Sequence, residues 1–205
     1  MASRTFNPIV LTFVTGNEKK LEEVRRILGG DGDTVVSLKM DLPELQGEPE
    51  DVARAKCEAA YAHVKGPVII EDTSLCFHAL RDLGGPYVGD FYKKLSYYGP
   101  HGLYGLHGLY KLLNAFNVTA ATAKCIFAVK LSATTPVQLF AGETLGSIVS
   151  PRGTDGFDWD PIFQPDGTQL TFAELGVDKY KYSPRTKASK VLADGLLGMV
   201  IAASL

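Results

Sequence analysis

The apolar positions of this chain fall into runs whose period changes from segment to segment. Residues 9–14, IVLTFV, are apolar or β-branched throughout, which predicts a buried strand. TGN then punctuates the chain. EKKLEEVRRILGG sets Leu21, Val24, Ile27 and Leu28 on one helical face and stops at Gly29-Gly30. TVVSLKM (34–40) predicts a second strand, and an acidic loop, DLPELQGEPEDV, leads into a helix over 52–64. GPVII predicts a third strand, closed by Glu71 and Asp72. The order β-α-β-α-β at these lengths argues for an α/β sheet.

The second half carries a different pattern. His101-Gly-Leu-Tyr104 recurs as His107-Gly-Leu-Tyr110. A six-residue period occurring twice is too short for a repeat architecture, so the segment reads as a loop or helix insertion. Two long β-like runs, 122–132 and 137–150, flank Ala-Thr-Thr-Pro and predict a hairpin. A Gly/Asp/Pro-rich stretch fills 151–167, and a helix begins at Pro184.

Composition narrows the classes. The 205 residues are 45% hydrophobic and 21% charged, an ordinary globular balance with enough chain for a sizeable core, so one domain over 1–205 is expected. A net charge of −2 lacks the basic excess of a general nucleic-acid binder, and no nucleic-acid partner is expected. A local anion site survives that argument. Cys57, Cys76 and Cys125 are odd in number and have no C-x-x-C spacing, which suggests neither a disulfide framework nor zinc. A reducing, cytoplasmic location follows. PIVLTFV and LLGMVIAASL are too short to span a bilayer, so no membrane partner is expected.

Four stretches offer chemistry. In VTGNEKK a strand feeds a turn at Gly16, and Asn17 caps a helix whose free N–H groups attract anions. Lys19 and Lys20 oppose the helix dipole there, which makes sense if an anion sits against them. The alternative is a capped helix with solvated lysines. In IIEDT, ligands of an open α/β sheet gather beyond the carboxyl ends of strands. Neighbours on a strand point to opposite faces, so one acid should face a cleft, and Asp72 lies nearer the loop. The acids of DLPELQGEPED offer a second carboxylate, and one or two carboxylates plus phosphates is the usual setting for magnesium. A solvated strand end is the alternative.

In FDWDPIF, Trp159 stands between Asp158 and Asp160, a set suited to stacking on a base and accepting its N–H groups. Anchoring of the loop in the core is the alternative; it fits Ile162 and Phe163 better than Trp159. In YSPRTKASK, Ser183 and Pro184 start a helix, and Arg185 and Lys187 again load its positive end with cations. Two such helix starts read as two walls of a polyanion site, against the alternative of a basic solvated face. The four histidines show no metal-ligand spacing.

Together and in order, FVTGNEKKLEEV, DLPELQGEPEDVARAKC, GPVIIEDTSLCF, GPYV, SIVSPRG, FDWDPIFQPDG and TFAEL resemble the inosine triphosphate pyrophosphatases of eukaryotic type, over nearly the whole chain. The resemblance implies a two-lobed α/β fold, with a long mixed central sheet flanked by helices and a cleft between lobes, and a homodimer. It implies hydrolysis of the small-molecule noncanonical purine nucleoside triphosphates ITP, dITP and XTP to the monophosphate and pyrophosphate. Magnesium is the implied cofactor, with manganese as a substitute. By motif, Thr15, Gly16, Asn17 and Lys20, with the backbone of Glu18 and Lys19, would hold the triphosphate. Glu44 and Asp72 would bind the metal, Asp72 also activating water. Lys56 and Thr73 would assist at the phosphates. Phe157 would stack on the base in a pocket shaped by Asp158, Trp159 and Asp160. Lys179 and Arg185 would reach base and phosphates from the other wall.

Two departures stand out. Ser183-Pro184-Arg185 replaces the family's Ser-His-Arg, whose histidine helps recognise the 6-oxo base. Proline offers no donor in its place. The alternative function is therefore a pyrophosphatase of the same fold with relaxed or shifted base preference. Region 90–112 is longer than the family pattern. Rivals from other classes fit less well. A nucleotide-binding regulator would not need Glu44 and Asp72, and a haloacid-dehalogenase-type phosphatase needs D-x-D-x-T, which EDTSL lacks.

Overall fold

A computed structural model describes residues 10–27, 35–43, 45–96, 103–154, 156 and 158–203. Glu44, Phe157, the helix stop at Gly29-Gly30 and the first His-Gly of the duplication lie outside the described residues.

The strands are β1 (Leu11–Val14), β2 (Val35–Leu38), β3 (Val68–Phe77), β4 (Gly84–Gly85), β5 (Ala120–Lys130), β6 (Gln138–Ile148) and β7 (Phe163–Pro165). Among the described residues they form one seven-stranded sheet in the order β2-β1-β3-β5-β6-β7, with β4 also on β3. β1 runs parallel to β2 and β3, and every other pairing is antiparallel, so the sheet is mixed. The helices are α1 (Glu18–Ile27), α2 (Pro49–Val64), α3 (Val88–Ser96), α4 (Leu103–Asn114) and α5 (Pro184–Ala203). The predicted β-α-β-α-β start, the hairpin and the helix from Pro184 are all present. α2 begins earlier than expected because Pro49 suits the first helical turn.

One predicted boundary is wrong, and it matters. The third strand does not close at Glu71 and Asp72; both acids sit inside β3. The reason is pairing. β5 satisfies β3 along its whole length, from Val68↔Lys130 to Phe77↔Ala121. On the opposite edge β1 stops at Phe13↔Ile69, and β4 joins only at Leu75. Among the described residues, that edge of β3 is therefore uncovered from Ile70 to Ser74.

Three core clusters frame this gap. Ile69 packs with Phe13 and with Leu21, Val24, Ala188 and Leu192 of α1 and α5. Ile70 points the other way, to Ala53, Cys57 and Ala60 of α2. The far half of β3 packs Leu75 and Phe77 against Leu106, Leu109 and Leu113 of α4. Full burial of such a side chain contributes roughly 1.5–3 kcal/mol. The segment read as an insertion is thus helical and closes one end of the core, its leucines spaced for one helix face. No described helix is long and apolar enough to cross a membrane.

α5 lies directly on β6. A Cβ at Gly142 would stand 2.3 Å from both the Pro184 carbonyl oxygen and the Ala188 nitrogen. Only a glycine lets the first turn of α5, with Arg185, come this close to the sheet.

Candidate active site

A cavity of about 770 Å³ opens at the uncovered edge of β3. The starts of α1 and α5 wall one side, and α3 with the segment 156–179 walls the other.

The turn between β1 and α1 is fixed by its own side chains and by β2. Thr15 N–H donates to Leu38 O (3.0 Å), Thr15 Oγ1 accepts from Asn17 N–H (3.1 Å), and Asn17 Oδ1 accepts from Lys20 N–H (3.2 Å). Asn17 is therefore the predicted N-cap. It lines the cavity with Lys20, whereas Thr15, Gly16 and Glu18 shape the turn without lining it. The Lys19 side chain lies outside what is described. At α5, Ser183 Oγ accepts from Thr186 N–H (3.4 Å), the cap expected there. Lys187, expected in the anion wall, instead donates to Glu143 O (2.8 Å) and Thr144 Oγ1 (2.9 Å) on β6.

The two acids of β3 both line the cavity, against the expectation that only one can. They do point to opposite faces, but the edge between those faces is open. Asp72 points to the α2 side, where Lys56 Nζ lies 3.2 Å from Oδ2. Glu71 points to the α1 and α5 side and its side chain is only 1% exposed. Lys20 Nζ lies 2.5 Å from its Oε2. Its Oε1 accepts from Thr73 Oγ1 (2.5 Å), Arg185 Nε (3.2 Å) and Cys125 Sγ (3.3 Å). Burial alone would raise the Glu71 carboxyl. The Arg185 and Lys20 charges, with hydrogen bonds from Lys20 and Thr73, outweigh it and hold the group at about 2, against an ordinary 4.5. Sequence reading missed this residue's place because its partners come from two distant helices.

The depressed Glu71 carboxyl predicts a pH dependence of stability. The unfolded chain takes up this proton near pH 4.5 and the native chain near pH 2. The contribution of Glu71 is therefore complete above about pH 4.5 and is lost as pH falls toward 2. Urea unfolding of wild type and Glu71→Gln at pH 7 and pH 3 checks this. The gap between the two proteins should shrink at pH 3; a constant gap would contradict the linkage.

The opposite wall is built by the 156–179 segment. Gly156 (φ 138°) and Asp158 (φ 46°) turn the chain through left-handed backbone. Trp159 packs on Phe163 (5.7 Å, edge-on) and Phe172 (6.2 Å) and is 9% exposed, so it anchors the core while one edge borders the cavity. Asp160 is buried and meets Lys179 Nζ at 2.5 Å, and that ammonium also stands 5.0 Å from the Phe172 ring centre. Partial burial and the Asp160 charge raise the Asp158 carboxyl, opposed by Lys93 and Lys20. Tyr92 and Lys93 of α3 also border the cavity. They fall in the region read as an insertion and were not anticipated.

Among the described residues, no group of three His, Cys, Asp or Glu side chains gathers to hold a metal. Magnesium does not need one when phosphates complete its shell. Asp72, a hard oxygen donor partly exposed at the cavity, suits that role, so the donor chemistry fits a magnesium ion bound together with a polyphosphate.

The same architecture occurs in solved structures. A HAM1 protein from Coxiella burnetii superposes with a TM-score of 0.78 at 22% identity, covering 93% of this chain and 99% of that one. The Ham1 protein of Staphylococcus aureus gives 0.75 at 23% identity, covering 92% and 98%. A nucleoside-triphosphatase / dITP/XTP pyrophosphatase from Mycobacterium abscessus gives 0.68 at 25% identity, covering 94% and 98%. The Ham1 family model matches residues 11–195, from the first strand into the last helix. The chain belongs to the Ham1 family.

Proposed function

We propose that this chain hydrolyses noncanonical purine nucleoside triphosphates, ITP, dITP and XTP, to the monophosphate and pyrophosphate. One observation carries the reading: cations from two helix starts, Lys20 and Arg185, converge on the carboxylate-bearing open edge of β3 inside one cavity. The activity named for the Mycobacterium abscessus relative supports it.

Phosphoryl transfer asks a protein for positioning and charge neutralisation more than for covalent chemistry. Lys20 and Arg185 supply positive charge on one side, with the amide groups at the start of α1 adding to it. Asp72 stands on the same edge as the general base, taking the proton from the attacking water. Lys56 fixes the orientation of its carboxylate. Glu44 and Asp72 would hold magnesium, which when bound neutralises charge on the phosphates. At the far wall, Lys179 is held by Asp160 and Phe172 as a fixed N–H donor. Such a donor favours a base with a 6-oxo acceptor over one with a 6-amino group. Phe157 completes this reading as the stacking ring. A homodimer working in the cytoplasm belongs to the same proposal.

Pro184 borders the cavity at the first turn of α5, where it offers no donor to the base. This supports the second reading, weakened base selectivity with hydrolysis retained. Pro184→His should raise the ratio of kcat/KM for ITP over ATP by about two- to tenfold, the worth of one hydrogen bond. Equal selectivity in both proteins would remove Pro184 from base choice. The function itself is tested by a panel of nucleoside triphosphates with magnesium, scored for pyrophosphate. ITP, dITP and XTP should lead; a panel without turnover would return the chain to the class of binding proteins.

A further inference from the structure

Among the described residues, the cavity lining carries five cationic and five acidic side chains. Four of the cations are held by acids: Lys20 and Arg185 by Glu71, Lys56 by Asp72 and Lys179 by Asp160. The fifth is Lys93 of α3, which is exposed and, among the described residues, has no hydrogen bond or ion pair. Two further acids line the cavity near it. Asp90 precedes it on the same helix and does not pair with it. Asp158 feels its charge only through space, together with that of Lys20.

Gly89 lies one helical turn before Lys93, so both share a face of α3, and both line the cavity. Glycine weakens a helix, and nothing local requires one here. Its backbone is not left-handed, and a Cβ would meet no atom within 4 Å. The space that a side chain at 89 would fill is therefore open cavity. Helical side chains lean back over the preceding turn, so this is the space into which Lys93 can fold.

We propose that Lys93 is a polyphosphate-binding residue, its ammonium folding over Gly89 to meet the phosphates from the wall opposite Lys20 and Arg185. This rests on the reading that the cavity takes a nucleoside triphosphate. A compact charge on a flexible stem suits phosphate oxygens. Binding at Lys93 breaks no ion pair, whereas each of the other four cations must share or give up a carboxylate.

The test is calorimetric titration of pyrophosphate with magnesium into wild type and variants, alongside kcat/KM for ITP and ATP. Lys93→Ala should bind pyrophosphate about tenfold more weakly. Its kcat/KM for ITP and for ATP should fall by the same factor, because the contact is to the phosphates. Lys93→Arg keeps the charge and should stay within about threefold of wild type. Lys94 is exposed on the same helix but does not line the cavity, so Lys94→Ala removes an equal charge and should bind as wild type does. Gly89→Leu should weaken binding as Lys93→Ala does, with no further loss in the double variant. Wild-type affinity in a folded Lys93→Ala or Gly89→Leu protein overturns the proposal, as does an equal loss in Lys94→Ala. A changed ITP-to-ATP ratio with unchanged pyrophosphate binding would put Lys93 at the base and also overturns it. A wild type that neither releases nor binds pyrophosphate refutes the functional reading itself, and this inference falls with it.

Discussion

Asp72→Asn should lower kcat by about 10²–10⁴-fold, the range for removing a general base, and leave the fold standing. The substitution keeps size and shape, and the backbone at this position stays paired to Ile126 on β5. Its amide oxygen can still accept from Lys56, so the α2 wall keeps its contact. What disappears is the basic oxygen at the open edge of the sheet, and with it a charged donor for magnesium. Circular dichroism and thermal melting should match wild type while turnover of ITP collapses. An Asp72→Asn protein with wild-type activity would remove Asp72 from the chemistry.

Gly142→Ala should lower both stability and activity. The added carbon would overlap the Pro184 carbonyl oxygen and the Ala188 nitrogen, 2.3 Å away in each case. These are backbone atoms, so no side chain can swing aside; the first turn of α5 must lift from β6. Overpacking of this kind costs about 1–3 kcal/mol. The same shift carries Arg185 away from Glu71 and the cavity, and an ångström of misplacement at a catalytic group can cost about 100-fold in rate. Thermal melting and kcat/KM for ITP should fall together. Gly66→Ala is the control, since its methyl would meet only Val64, at 3.9 Å or beyond. Equal melting temperatures for Gly142→Ala and wild type would refute the close docking of α5.

What the sequence disclosed depended on how local the physics is. The Asn17 cap, the Ser183 cap and the turn that joins β5 to β6 draw on residues close together in the chain, and their residue types announce them. The role of Glu71 does not. It depends on β1 ending beside Ile69 while β5 continues, and on two helices far apart in the chain arriving at one carboxylate. A run of apolar residues followed by acids looks like a strand meeting water, because nothing nearby reveals that β5 pairs with the acids too. Trp159 reads as a loop aromatic for the same reason; the Phe172 that packs on it lies beyond the turn that carries it. Lys187 reads as part of the anion wall for the same reason; its acceptors lie on β6, more than forty residues back in the chain. In the 90–112 region, glycines and the short duplication obscured helices whose apolar spacing was nevertheless present.

Which anhydride bond of the substrate is broken separates the proposed pyrophosphatase from a phosphatase. Incubation with dITP and magnesium, followed by ³¹P NMR, reads this directly. Pyrophosphate and dIMP should appear in equal amounts from the first turnover; orthophosphate and dIDP would contradict the proposed hydrolysis.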